Sequence, residues 1–263
     1  VWGARRANFA GCDDFSAARN ASRALARCAW TLVLDADEEL DLGAHSAVDA
    51  RALLERFAAR GPSLGRVRIE NRLDNSERSS VALTRFAPRD ASVRFEGRIH
   101  EQLVGRGTVA LARDDTGLTV LHHGYTEAAL AAKHKLARNI ALLERDLVER
   151  PDDAYAWYQL GRTLARAGQH ARALPALERA LAACDDADTW SIHALELGAT
   201  SLRALGRSAQ ALELVQSALA LAPKRADTRF LAALLALDVG LLPEAEAGFN
   251  ACLTLTPTTH CVS

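Results

Sequence analysis

Apolar residues recur along this chain with two different periods, and the change from one to the other falls near residue 125. Before it, short runs rich in Val, Ile, Leu and Phe are separated by Asn, Ser, Asp and Gly. The runs Arg66–Asn71, Val81–Phe86, Val93–Phe95 and Leu118–His122 each predict a strand. Residues 31–35 predict a short buried strand. Two stretches keep a helical period instead: Ser16–Ala29, with Asp13 or Asp14 as its N-cap, and Asp49–Ala59. Helix, strand, helix and then several strands imply an α/β layer structure. Only one strand–helix alternation is visible, so a complete nucleotide-binding sheet would need further sequence before Val1.

From Thr126 onward the strand pattern vanishes, and Ala and Leu dominate at helical spacing. Overlaying this half on itself exposes a repeat. One copy holds Trp157, Leu160, Gly161, Leu164, Gly168, Ala173, Leu177 and Ala180. A second holds Ala199, Leu202, Gly206, Ala211, Val215, Ala218 and Pro223, and a third Ala233, Ala236, Gly240, Ala245, Phe249, Cys252 and Pro257. The step from Ala199 to Ala233 is 34 residues, while Gly161 to Ala199 is 38, which implies a small insertion near Asp185–Asp188. These large and small positions match the tetratricopeptide pattern. Small residues let two helices approach closely, Gly ends the first helix of each pair and Pro stops the second. Each pair leaves an apolar face until a neighbour stacks on it, so three copies predict a short solenoid. The expected organisation is therefore α/β plus all-α: residues 1–125, a connecting helix over 126–150, and repeats over 151–257.

Composition narrows the functions open to such a chain. Lys and Arg number 32 and Asp and Glu 33, giving a net charge of −1 with no long run of one sign. Neither nucleic acid nor an anionic membrane is implied. No apolar stretch approaches the roughly 18–20 residues that span a bilayer. Five cysteines are scattered and never spaced as C-x-x-C, which predicts neither a zinc site nor a disulfide framework and fits a cytoplasmic protein. There is no methionine, even at position 1, so the chain reads as a fragment that has lost its true start.

Four short constellations carry candidate chemistry. Asp35-Ala36-Asp37 follows directly on an apolar run, and a strand would put both carboxylates on one side, where they could meet one hard cation. Glu38 and Glu39 add charge or begin a following helix. Arg19 and Asn20 come late in the preceding helix; arginine offers a planar fork to phosphate and asparagine can read a base edge or a ribose hydroxyl. Taken alone, Arg19 reads as a surface arginine on an alanine-rich helix. In Gly97-Arg98-Ile99-His100-Glu101 the glycine permits close backbone approach, and a carboxylate such as Glu101 could deprotonate an acceptor. The fourth, His122-His123-Gly124-Tyr125, offers imidazole to a metal. Signatures of serine hydrolases, P-loop enzymes and dinucleotide binding are lacking.

In their order, these segments resemble the bacterial family 2 glycosyltransferases that carry C-terminal tetratricopeptide repeats. The matching residues run from Asp14-Phe15-Ser16-Ala17-Ala18-Arg19-Asn20 through Leu32-Val33-Leu34-Asp35-Ala36-Asp37-Glu38 and Gly97-Arg98-Ile99-His100-Glu101. They continue with His122-His123-Gly124-Tyr125 and Lys135-Leu136-Ala137-Arg138-Asn139. The resemblance implies a GT-A-type nucleotide-sugar domain, dependent on Mn²⁺ or Mg²⁺ and inverting. It casts Arg19, Asn20 and Asp35 as nucleotide-sugar ligands, Asp37 and His122 as metal ligands, and Glu101 as the catalytic base. A protein, peptide or glycan would be the acceptor, held by the repeats. Members of that family begin with about two further strand–helix units, which are not in this sequence. That departure raises the alternative of a non-catalytic repeat adaptor attached to a truncated or decayed transferase domain. A metal-dependent phosphohydrolase using Asp35, Asp37 and His122 is a more distant reading.

Overall fold

The computed structural model describes residues 9, 13–41, 47–61, 63–72, 78–105, 111–123, 129–185 and 190–254. They fall into two compact units, a sheet unit ending at Ala128 and a helical unit beginning at Ala129. Gly124, Tyr125, Asp186–Asp188 and Pro257, which the sequence reading used, lie outside the described residues.

The sheet unit runs α1 (Phe15–Ala24), β1 (Trp30–Leu32), β2 (Glu38–Asp41), α2 (Ala47–Ala58), β3 (Leu64–Arg72), β4 (Arg78–Pro88), β5 (Val93–Glu96), β6 (Gln102–Gly105) and β7 (Arg113–His122). Five strands form a mixed sheet in the order β1-β4-β3-β7-β2, and β5 and β6 pair as a separate antiparallel ribbon. Among the described residues only β3 and β7 run parallel; the other neighbours are antiparallel. One sheet face buries Val67, Ile69, Leu118 and Val120 against α2 through Ala50, Leu53 and Leu54. The alternation of the strands places these residues on a common side. A second cluster, Leu64, Ala87, Val93, Phe95 and Leu103, packs the β5–β6 ribbon onto the sheet. Trp30 stacks on Phe86 with ring centroids 5.0 Å apart, and Phe57 of α2 meets both rings edge-on.

Three expectations change here. Helix α1 stops at Ala24, short of Ala29, because Leu25 and Ala26 close a tight turn onto the carbonyls of Ser22 and Arg23. Cys28 and Ala29 then give their carbonyls to Arg89, which extends the pairing of β1 with β4 backwards. Strand β1 ends at Leu32, so Asp35 and Asp37 sit on a turn, closed by the Glu38 N–H on the Asp35 carbonyl at 3.1 Å. The acidic run after that turn, Glu38–Asp41, forms a strand where a helix was one expectation. It is an edge strand paired with β7 alone, and edges tolerate charged side chains that a central strand does not.

The helical unit holds α3 (Ala129–Glu149), α4 (Ala154–Arg166), α5 (His170–Ala183), α6 (Ser191–Ala204), α7 (Ser208–Leu221), α8 (Ala226–Asp238) and α9 (Leu242–Leu253). Helices α4–α5, α6–α7 and α8–α9 are the three pairs the repeat spacing predicted. Asp153 caps α4, its carboxylate accepting the Ala156 N–H at 2.9 Å. Between the helices of each pair, Gly168, Gly206 and Gly240 adopt positive φ of 72°, 74° and 81°, a left-handed turn that disfavours other L residues. The small positions have a different cause: a Cβ built on Gly161 would lie 2.6 Å from Leu177. Tyr158, Trp190, Ala194 and Leu177 form one interlocking core, and Ala199, Ala211, Val215 and Leu235 the next.

Candidate functional site

Helix α1 presents Arg19, Asn20 and Arg23 on one face, as their near i, i+4 spacing requires. All three are anchored. Arg23 donates to the Val93 carbonyl at 2.6 Å, the Pro88 carbonyl at 2.9 Å and Thr31 Oγ1 at 3.2 Å. Asn20 clasps the β5 backbone with both ends of its amide, Nδ2 donating to the Phe95 carbonyl and Oδ1 accepting the Phe95 N–H, each at 2.8 Å. In this structure Asn20 is thus a clamp between helix and ribbon. Arg19 reaches furthest: Nη2 lies 2.7 Å from Asp35 Oδ1, Nε donates to Glu101 Oε1, and the guanidinium covers the Phe95 ring at 5.6 Å.

The start of α1 is fixed by the turn that carries Glu101. Asp14 caps the helix by accepting the Ala17 N–H at 2.9 Å, and the Phe15 N–H donates to the Arg98 carbonyl at 2.9 Å. That turn needs two left-handed residues, Gly97 at φ 100° and His100 at φ 55°. Gly97 therefore answers a backbone requirement, and the reversal brings Glu101 back under Arg19.

Asp35 sits between two cations. Its second oxygen accepts from Arg85 Nη2 at 3.0 Å, and the same nitrogen donates to Glu38 Oε1 at 2.9 Å. Glu38 also accepts the Asp35 N–H at 2.8 Å, so the turn is laced to β4 at both ends. Burial opposes ionisation of Asp35, but Arg85 and Arg19 outweigh it and hold its carboxyl below the usual carboxylate range. Arg19 follows the mirror logic. Burial works against its charge, and Glu101 and Asp35 more than compensate, raising its pKa.

Asp37 points elsewhere. Its Oδ2 lies 3.2 Å from His122 Nε2, while His122 Nδ1 lies 2.9 Å from Asn71 Oδ1. His123 turns instead to Glu39, its Nε2 at 3.1 Å from Oε1 in an exposed pair. The two aspartates of the D-x-D triplet are therefore parted, because a turn, unlike a strand, does not keep alternate side chains together. Among the described residues no trio of His, Cys, Asp or Glu gathers that could hold a metal ion.

Of the residues singled out in the sequence, Arg19, Asp35 and Glu101 meet directly, and Asp37 meets His122. Arg19 is not the surface arginine its helix suggested: its side chain keeps 19% of its exposure. Arg85, Glu38 and Asn71 were missed. The signal for Arg85 is a lone charged side chain inside the strand-like run Val81–Phe86, and Asn71 offers none beyond its place at the end of a strand.

The comparisons with known proteins place one family match in the helical unit. Residues 156–197 match the tetratricopeptide repeat family, so the chain contains that repeat. A TPR repeat-containing protein of Synechococcus elongatus is 32% identical over 164 residues, covering 59% of this chain and 39% of the relative. The chain spans well under half the length of that curated relative. Among solved structures, the MamA RS-1 ArsTM double mutant overlaps 48% of this chain and 68% of its own, at 22% identity and a TM-score of 0.43. MamA AMB-1 overlaps 49% and 73%, at 24% identity and a TM-score of 0.42.

Proposed function

We propose that this chain recruits a protein or peptide through its tetratricopeptide repeats, and that its sheet unit carries part of a nucleotide-sugar transferase site. The repeat match supports the first half directly, since stacked helix pairs suit peptide binding. The second half is carried by one observation: Arg19, Asp35 and Glu101, drawn from a helix, a turn and a second turn far apart in sequence, converge within contact distance.

In this reading Glu101 takes the proton of the acceptor hydroxyl, and Arg19 orients it through Nε, holds Asp35 through Nη2 and has Nη1 for the diphosphate. Asp35, aligned by Arg85, faces the nucleotide sugar, and Asn20 keeps the helix that carries Arg19 in register. Asp37 and His122 would hold a Mn²⁺ or Mg²⁺ ion; such ions commonly take one or two protein ligands, with phosphate and water completing the shell. When bound, the cation neutralises charge developing on the diphosphate leaving group. The experiment is nucleotide release by the purified protein across a panel of nucleotide sugars with Mn²⁺. Glu101→Gln should cut turnover by about 10²- to 10⁴-fold and spare donor binding. Donor affinity that is unchanged by Asp37→Ala would remove the metal role.

The adaptor reading has its own support, for the family match lies on the repeats, the curated relative is a TPR repeat-containing protein and Asp35 is engaged by two arginines. It holds if no donor binds in the presence of Mn²⁺ while a partner peptide does.

A further inference from the structure

We infer that Asn71 is a positioning residue that fixes His122 with its proton on Nδ1 and turns Nε2 toward Asp37, making Nε2 the atom that meets the cation. The inference rests on the donor-site reading above. Asn71 is buried on β3, directly across from His122 in the parallel register with β7. Its carbonyl oxygen Oδ1 can only accept, so His122 Nδ1, 2.9 Å away, is the donor. In the neutral ring Nε2 then carries a lone pair, and it faces the carboxylate oxygen Oδ2 of Asp37 at 3.2 Å. This contact calls for a positive charge, which a proton on Nε2 supplies in the imidazolium and which must come from outside when the ring is neutral with its proton on Nδ1. A divalent cation held by both supplies it, and the hydrogen bond to the other ring nitrogen sets which nitrogen is presented. The remaining half of the arrangement is fixed by the backbone: the His123 N–H donates to the Asp37 carbonyl at 3.0 Å, holding the turn beside the end of β7.

The test reads the tautomer directly. In metal-free protein labelled with ¹⁵N at histidine, long-range ¹H–¹⁵N correlations of the neutral His122 ring should show the Nδ1–H form. Asn71→Asp keeps an acceptor and should keep that form; Asn71→Leu should shift the ring to Nε2–H and weaken Mn²⁺ binding, followed by electron paramagnetic resonance, by about 10- to 100-fold. A wild-type ring carrying its proton on Nε2 overturns the inference, and this needs no variant to fold. So does an Asn71→Leu protein that retains both the Nδ1–H form and its Mn²⁺ affinity. Mn²⁺ affinity unchanged in His122→Ala would instead bring down the donor-site reading, leaving the tautomer to be judged by the wild-type spectrum alone.

Discussion

Arg85 is the residue on which the carboxylate turn depends. One of its nitrogens serves both Asp35 and Glu38, and the Arg85 and Glu38 side chains keep only 8% and 3% of their exposure. A buried ion pair of this kind adds little over an apolar pair, yet removing one partner strands the other charge. Arg85→Met should therefore cost about 3–5 kcal/mol in chemical denaturation. Arg85→Met combined with Glu38→Gln should recover a good part of that loss, since no buried charge is then left unpaired. A single substitution that costs less than about 1 kcal/mol would mean that the backbone pairing of β1 with β4 and of β2 with β7 holds the turn unaided. The same network bears on function, for Asp35 can face a ligand only while Arg19 and Arg85 continue to balance it.

Among the elements, the repeat helices use glycine for two separate physical reasons, and substitution should tell them apart. At Gly161 the constraint is space: Gly161→Ala drives a methyl into Leu177, and such overpacking costs about 1–3 kcal/mol. At Gly168 there is open space around the position, and the cost comes from its left-handed φ, about 1–2 kcal/mol for an added Cβ. Trimming the neighbour with Leu177→Ala should lessen the incremental penalty at Gly161 and leave that at Gly168 unchanged, in a double-mutant cycle. Tyr158 gives the same helices a pH signature. It has no exposed surface, hydrogen-bonds His193 at 2.6 Å, and burial pushes its phenol up to about 12. The raised value means that the stabilisation is complete below the unfolded pKa of about 10 and is lost as pH climbs toward 12. Thermal midpoints should fall over that window by an amount worth roughly 2–3 kcal/mol, and Tyr158→Phe should flatten the dependence.

For the molecule as a whole, each compact unit has cores of its own among the described residues, the helical one around Tyr158 and Trp190 and around Ala199 and Leu235. A protein of residues 129–263 should fold alone, with helical circular dichroism and a cooperative melt; a broad, non-cooperative transition would show that the array needs the sheet unit. The same piece should keep partner binding if recruitment belongs to the repeats, while nucleotide-sugar binding should stay with the sheet unit.

The sequence by itself determined what depends on local period and spacing. The 34-residue step, the glycines between paired helices and the capping aspartate Asp14 are short-range requirements of backbone geometry, and they are written where they act. Four of the strands were legible for the same reason, since alternation on a half-buried face leaves its mark residue by residue. Tertiary structure alone decided the rest. Strand β2 is an acidic edge strand whose pairing with β7 no local pattern announces. Whether Arg19 is buried, which aspartate faces an arginine and which faces a histidine, and that Asn71 stands beside His122 all depend on contacts between distant segments. Ion pairs and hydrogen bonds act over a few ångströms in space and leave no period along the chain.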